Sequence, residues 1–374
     1  MGTNKLLTKT ITMPNGKRKY IRAKTKAELD KKYAQLKAEI GAGVDISNNS
    51  TVQELAQMWY TVYKEPHLRQ GGKKSVLCTV NYHILPYIGT MKVRDVKPVH
   101  IRQVMAENSN LSKESQSKIL QAMKAMFLAA EENNIIVKSP VPHSLKASGA
   151  ETKEKTPLTV EQTKRLLATV KGTRAYIPVV LMLSAGLRRE EVCGLMWSDI
   201  DLDKGTVTVR RAMTFYSNKG ELSDKTKTES AKRTIPIPTP AITALREAKA
   251  KSNSLYVFSK TDGTPITFAS FRGVWDYITV RTTDDPKMLG KPVSKTHPDV
   301  VYELDFHVHP HLLRHTCITR WFDEGLDIKT VQYLAGHAKP EITIRIYDHY
   351  AASVRQQNAA KRVQDSTVLA EAFG

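Results

Sequence analysis

Towards its C-terminal end the chain carries His311-Leu312-Leu313-Arg314, then Gly336-His337, then Ile346-Tyr347-Asp348-His349. Well upstream stands Gly186-Leu187-Arg188-Arg189-Glu190-Glu191. Together these segments supply two guanidinium groups, two imidazoles and a phenol, a set suited to attack on a phosphodiester without a metal. Such an ester resists attack because its oxygens repel the nucleophile and its alkoxide leaves poorly. Catalysis therefore needs positive charge on the non-bridging oxygens, a proton for the leaving oxygen and a held nucleophile. Arginine suits the first task, since its planar fork stays charged and can bond two oxygens at once. A free phenol ionises only near about 10, so it needs a base or strongly cationic surroundings before it attacks at neutral pH. Arg188, Arg314 and His311 can provide both, provided that the fold brings distant segments together. No metal and no cofactor is expected.

Each group also has a plainer reading. Arg188 and Arg189 could decorate a solvated helix start, although cations are slightly disfavoured there. The helix they open is expected to continue through Val192, Leu195 and Met196. His311 and Arg314, spaced i and i+3 just after Pro310, belong on one helix face. An imidazole there suits proton transfer or phosphate holding. His307, His309, His311, His315 and Cys317 invite comparison with a metal site, but neither a cysteine pair nor the two-histidine helical zinc spacing is present. Tyr347 could be a half-buried structural phenol, and Tyr350 is its rival as nucleophile.

The elements needed to position these groups can be read along the chain. With 374 residues, two or three domains are expected. Lys and Arg number 57 against 37 acidic residues, a net charge of +20 that points to a polyanionic partner, nucleic acid first. No polybasic amphipathic helix, lipidation signal or leader is evident, and the longest apolar run, Ala175 to Leu187, contains Pro178 and is too short to span a bilayer. Cys78, Cys193 and Cys317 are scattered, as reduced cytosolic thiols are. A cytoplasmic protein without a membrane partner is expected.

From Lys5 to Ile40 there are eleven basic and three acidic residues. Lys9 to Met13 alternates as a strand does, Pro14-Asn15-Gly16-Lys17 signals a turn, and Lys19 to Ala23 returns. Thr25 to Ile40 follows as a helix with Leu29, Tyr33, Leu36 and Ile40 in one stripe. After a Gly/Asn/Ser linker, Thr51-Val52-Gln53-Glu54 is a capping box. Helices are then predicted at about Lys74 to Leu85, Pro98 to Glu107 and Ser112 to Asn133. A second linker around Pro140 to Pro157 precedes a helix capped by Thr159. Strands are predicted at Val207 to Val209 and Thr234 to Ile237, with a turn at Asn218-Lys219-Gly220, and helices at Ala241 to Lys251, Phe268 to Val280, His311 to Glu324, Ile328 to Ala335 and Ile342 to His349. Arg281 to Val301 reads as an irregular loop.

The order and spacing of these motifs resemble the tyrosine recombinases, the phage and transposon integrase family, across the whole C-terminal half. The resemblance implies a multidomain, mainly α protein with small β-sheets. Residues 1–46 would form a basic β-β-α arm-site DNA-binding unit, residues 50–148 a helical, SAM-like core-binding domain, and residues 156–374 a mixed α+β catalytic domain with a C-terminal tail. Arg188 and Arg314 match the two family arginines, Glu191 the acidic residue that holds the first, and Trp197-Ser198-Asp199-Ile200 completes a familiar run. His311 would accept the nucleophile's proton or hold the phosphate. His337 matches the third family position and would donate to it. Tyr347, in the context Ile-Tyr-x-His, would be the nucleophile, with a spacing from His337 one residue longer than usual because of an insertion around Pro340. The family's general-acid lysine lies on a β-hairpin, and Lys227 in Lys-Thr-Glu-Ser-Ala-Lys-Arg-Thr-Ile-Pro fits it, with Lys225 and Lys232 as alternatives.

The implied function is a site-specific recombinase that cuts and rejoins DNA through a 3′-phosphotyrosine, integrating and excising a prophage or mobile element. Its partners would be double-stranded attachment-site DNA, three further copies in a homotetramer on that DNA, and an excision factor and a host DNA-bending protein as helpers. Residues Val354 to Phe373 would form the tail helix that docks on a neighbouring subunit. A type IB topoisomerase would share the chemistry but act as a monomer, and a non-catalytic DNA-binding protein would leave the distant Arg, His and Tyr motifs unexplained.

The charge excess generates a first prediction. Each neutralised phosphate releases condensed counterions, so affinity for DNA falls steeply with salt, by about 0.9 in log-log slope for each contact. Gel-shift titrations across a salt series check this. An affinity flat between low and moderate salt would contradict it.

Overall fold

The computed structural model describes residues 6–13, 16–44, 48–150, 156–216, 219–223, 232–348 and 351. The chain divides into two compact units, Met1–Glu154 and Lys155–Gly374.

In the first unit, strands β1 (Leu7–Thr12) and β2 (Arg18–Ala23) pair antiparallel, with Leu7 opposite Ala23. Helix α1 (Lys26–Gly41) is capped by the Thr25 hydroxyl on the Glu28 amide. Its Leu29 packs on Ile11, Ile21 and Ala23, with Tyr33, Leu36 and Ile40 alongside, as the stripe predicts. The remainder is helical. Helix α2 (Val52–Trp59) carries the expected Thr51/Glu54 capping box and runs into one π-helical turn, Tyr60–Lys64. There follow α3 (Gln70–His83), the short α4 (Leu85–Ile88), α5 (Pro98–Glu107), with Pro98 at its first position, and α6 (Lys113–Glu132), capped by Ser112. Trp59, Ile101, Met123 and Phe127 are in its core. Buried Asn108 and Gln116 cross this core with every polar end used. Asn108 bonds the His83 ring and the His83 and Val104 carbonyls, while Gln116 bonds the Asn108 carbonyl and the Ser148 amide.

The second unit is built on a through-and-through apolar helix. Between α7 (Val160–Val170) and α9 (Arg189–Gly194) lies α8 (Tyr176–Ala185), whose residues from Pro178 onwards are all buried. Strands β3 (Ile200–Asp201), β4 (Thr206–Val209) and β7 (Arg233–Pro236) make an antiparallel sheet in the order β3-β4-β7. Strands β5 (Ala212–Tyr216) and β6 (Lys219–Ser223) form a separate hairpin between β4 and β7. Helices α10 (Thr239–Ala250) and α11 (Phe268–Thr279) lead to a second hairpin, β8 (Pro292–Ser294) and β9 (His297–Val301). Then come α12 (Pro310–Asp323), α13 (Ile328–Ala335) and α14, residues 340–348.

The structure corrects several expectations. Helix α9 ends at Gly194 instead of continuing through Leu195 and Met196, because Met196 turns into a bridge with Tyr256. Lys219 and Gly220, expected in a turn, pair in β6 with Tyr216 and Phe215. The stretch expected as a loop after Arg281 folds into β8 and β9, tied down by Arg281 on Glu303 and on the Tyr277 ring. The tail helix expected at Val354 to Phe373 lies outside the described residues.

Helix α8 stops at Gly186, where φ is +59°. A left-handed residue there turns the chain sharply into Leu187 and Arg188. A Cβ at Gly186 would also meet the Trp321 ring of α12 at 3.1 Å. Gly172, at φ +78°, has nothing within 4 Å of a built Cβ. Gly172→Ala therefore carries only the left-handed term, about 1–2 kcal/mol. Gly186→Ala carries that term plus the displacement of Trp321, and its urea midpoint is expected to fall further. Equal midpoints for the two variants would contradict this packing.

Candidate active site

Glu191 lies in the first turn of α9 and is buried. Its carboxylate accepts the Arg188 backbone N–H at 2.8 Å, Arg188 Nη1 at 2.8 Å, Arg233 Nη1 at 3.1 Å and Arg233 Nη2 at 2.9 Å. Burial alone would push its carboxyl up. The bonds and charge of Arg233, with the charges of Arg188 and Arg314, outweigh that and hold it at about 2. Glu191 is thus a fixed anion that fastens two guanidinium groups.

The same arginines converge on the end of α13. Arg233 Nε donates to the Leu334 carbonyl at 2.7 Å, Arg314 Nη2 to the Ala335 carbonyl, and Arg188 Nη2 to the Gly336 carbonyl at 2.8 Å. The last carbonyls of a helix have no partner within it and carry partial negative charge, so three cations on three successive carbonyls satisfy both needs. Arg314 also donates to the carbonyl of Gly186, the C-cap of α8. Burial first, then the neighbouring Arg188, lowers Arg314 to about 9, which leaves it cationic at neutral pH. Gly336 takes φ +62°, and a Cβ there would meet Arg233 Nη1 at 2.8 Å, so only glycine fits the turn.

His337 follows at once and is buried. Its backbone N–H reaches the Gln332 carbonyl at 3.2 Å, and its Nδ1 stands 2.8 Å from the Thr343 hydroxyl of α14. Burial first, then the fields of Arg314, Arg188 and Arg233, push the imidazole down to about 3. It is neutral at any physiological pH. Tyr347, on α14, is half-buried against the main core, its ring edge-to-face with Phe322 at 5.2 Å between centroids. Phe322 belongs to α12, the helix that carries Arg314, so one element presents a cation and seats the phenol.

The structure therefore gathers Arg188, Glu191, Arg314 and His337 about one turn: Arg188 bonds Glu191 and the Gly336 carbonyl, Arg314 bonds the Ala335 carbonyl, and His337 follows in the chain. His311 sits in the first turn of α12, exposed where Arg314 is buried, so the shared helix face does not mean a shared environment. Lys225 and Lys227 lie outside the described residues, and Lys232 is exposed just before β7. The five residues weighed as a metal site do not converge. His307 bonds Thr282 and Asp284, His309 caps α12, and among the described residues no group of three His, Cys, Asp or Glu could hold a metal ion. Arg189 is no solvated ornament either, since it pairs with Glu190 and lies 5.3–5.8 Å from the rings of Phe215, Phe268 and Phe271.

Sequence reasoning missed Arg233, whose side chain is wholly buried. The signal was its parity: it alternates with Ile235 on the inward face of β7, and an inward arginine demands an acid. Chemically, the cluster offers a neutral imidazole and two cations, Arg188 and Arg314, whose geometry is fixed before any anion arrives.

The imidazole generates a pH prediction. Its folded value, about 3, lies below the ordinary 6.5, so the unfolded chain binds the proton first as pH falls. The His337 contribution is intact above 6.5 and is lost towards 3 at about 1.4 kcal/mol per pH unit. Urea unfolding of the DNA-free protein at several pH values should show that His337→Asn flattens this slope by about one proton. Identical slopes would contradict a neutral His337.

Three comparisons bear on this geometry. The sequence model of the Phage integrase family matches residues 156–353, more than half of the chain, and that of the Phage integrase, N-terminal SAM-like domain matches residues 51–107. The chain is 27% identical to a XerC-like tyrosine recombinase of Caldanaerobacter subterraneus subsp. tengcongensis, over 94% of this chain and 93% of the relative. It is also 27% identical to the transposase from transposon Tn916 of Enterococcus faecalis, over 92% and 84%. In fold it is similar to the Tn1549 transposon integrase in complex with transposon right end DNA, with a TM-score of 0.65 and 21% identity over 83% of this chain and all of that one. A lambda integrase tetramer bound to a Holliday junction follows, with a TM-score of 0.58 and 15% identity over 90% and 91%. The chain belongs to the phage integrase family and is a tyrosine-type site-specific recombinase, an enzyme that breaks and rejoins DNA strands.

Proposed function

We propose that this recombinase uses Tyr347 as its nucleophile, and that Arg188 and Arg314 hold the non-bridging oxygens of the scissile phosphate. The observation that carries the reading is the bonding of both arginines to the turn that bears His337, Arg188 through Gly336 and Arg314 through Ala335. Glu191 supports Arg188, and neutral His337 donates a hydrogen bond to the phosphate. His311, exposed at the start of α12, accepts the phenolic proton or holds the phosphate. The Tyr347 oxygen bonds to phosphorus, the bond from phosphorus to the 5′-oxygen breaks, and Lys227 gives that oxygen its proton. The 3′-phosphotyrosine keeps the energy of the broken bond, so a 5′-hydroxyl attacking in reverse reseals the strand without ATP.

The relatives support a reading of substrates and assembly as well. A transposase from Tn916, an integrase held on transposon end DNA and an integrase tetramer on a Holliday junction support a cytoplasmic enzyme that integrates and excises a mobile element or prophage. It acts as a homotetramer on two attachment sites, helped by an excision factor and a host DNA-bending protein. Residues 1–46 bind arm sites, residues 50–148 clamp the core site, and residues 156–374 cut it, the tail docking on a neighbour. Among the described residues no helix is long and apolar enough to cross a membrane.

The test is peptide mapping of the covalent adduct trapped on a nicked suicide substrate. Tyr347→Phe removes only the attacking oxygen, so site binding is kept and the adduct vanishes, while Tyr350→Phe cuts nearly normally. Arg188→Lys binds DNA but cleaves at least about tenfold more slowly, because a point charge cannot reproduce two bonds to one phosphate. An adduct on Tyr350 or on a serine would overturn the assignment.

A further inference from the structure

The His337 ring meets a partner that no motif marks. Thr343, with no exposed surface, lies between His337 and Tyr347 on α14, and its hydroxyl is 2.8 Å from His337 Nδ1. Several helical threonines among the described residues give their hydroxyl to the carbonyl four residues back, as Thr79 does to Ser75 and Thr316 to Leu312. Among the described hydrogen bonds the Thr343 hydroxyl has His337 alone.

We infer that Thr343 is a positioning residue of the recombinase, whose hydroxyl donates to His337 Nδ1, so that the ring proton sits on Nε2, and pins the helix that bears Tyr347. A neutral imidazole has one N–H, so the direction of this bond decides what the other nitrogen offers. If Nδ1 held the proton and gave it to Thr343, the hydroxyl would be a buried donor without an acceptor, and Nε2 would turn a lone pair towards an incoming phosphate oxygen. Both arrangements are unfavourable, the first by the full desolvation of a hydroxyl. With the hydroxyl donating, every proton has an acceptor and Nε2–H is ready for the phosphate. The second role follows from spacing. Thr343 and Tyr347 stand four residues apart, on one face of α14, so a bond that fixes the rotation of the helix at Thr343 also fixes the direction of the phenol. The active-site histidine and the nucleophile are thereby set by one hydroxyl.

This inference rests on the proposed roles of His337 and Tyr347, and its first readout is independent of activity. Full-length protein labelled with 15N-histidine, its His337 signals assigned by their loss in His337→Asn, reports the tautomer from the ring nitrogen shifts. The native chain and Thr343→Ser are expected to show Nε2–H, and Thr343→Val, which keeps the shape without the hydroxyl, to lose that single tautomer. In single-turnover cleavage Thr343→Val should be at least about tenfold slower at unchanged site affinity, with Thr343→Ser recovering most of the rate. A native Nδ1–H tautomer, an unchanged tautomer in Thr343→Val, or a serine variant as slow as the valine one would overturn it. An adduct mapped away from Tyr347 would instead defeat the proposed mechanism and leave the tautomer result standing.

Discussion

The Glu191 carboxylate organises this site. It receives three guanidinium bonds and one backbone amide from two residues that lie far apart in sequence, and it does so away from water. A buried carboxylate without partners would take up a proton. With Arg233 and Arg188 bonded to it, the ionised form wins by a wide margin. Removing either side of such a pair strands the other charge, at a cost of about 3–5 kcal/mol. Each arginine places a further donor on the open end of α13, so a single anion fixes α9, β7 and the turn that presents His337. Cations held this way have no need to reorganise when an anion arrives, and under the proposed mechanism that is where electrostatic catalysis gains most.

Such an arrangement is electrostatically tense. Arg188, Arg233 and Arg314 crowd around one acid, and the lowering of Arg314 and His337, due first to burial, is deepened by the surplus of positive charge. An anionic ligand relieves that surplus, which suits the proposed attack on a phosphate. The carbonyls of residues 334 to 336 and 186 supply the counter-dipoles that keep the cluster folded in the ligand-free state.

Much of this was legible in the sequence. Helix caps at Thr51 and Thr159 were readable because a hydroxyl three residues before an amide leaves a local signature. Arg188, Glu191, Arg314, His337 and Tyr347 stand out in the sequence because short motifs surround them, and the structure gathers the first four about the turn after α13 and sets the Tyr347 ring against Phe322 of α12. Arg233 and Thr343 were not, since each acts through a contact many positions away or through a helix register that no short motif encodes. The hairpin β8-β9 escaped notice because its strands are short, polar and exposed, without the alternation that marks a half-buried strand. Helix α9 ended early because Met196 bridges Tyr256, a tertiary pairing that overrides helical periodicity.

The central claim is that Glu191 and Arg233 act as one unit holding Arg188, the arginine proposed to bind the scissile phosphate. A double-mutant cycle on single-turnover strand cleavage, with Glu191→Gln, Arg233→Met and both together, tests it most directly. Each single variant should bind its DNA site yet cleave at least about tenfold more slowly, and the double variant should be no slower than the worse single one, because the unit is already broken. Cleavage close to that of the native chain in either single variant, or losses that simply multiply in the double, would contradict the account.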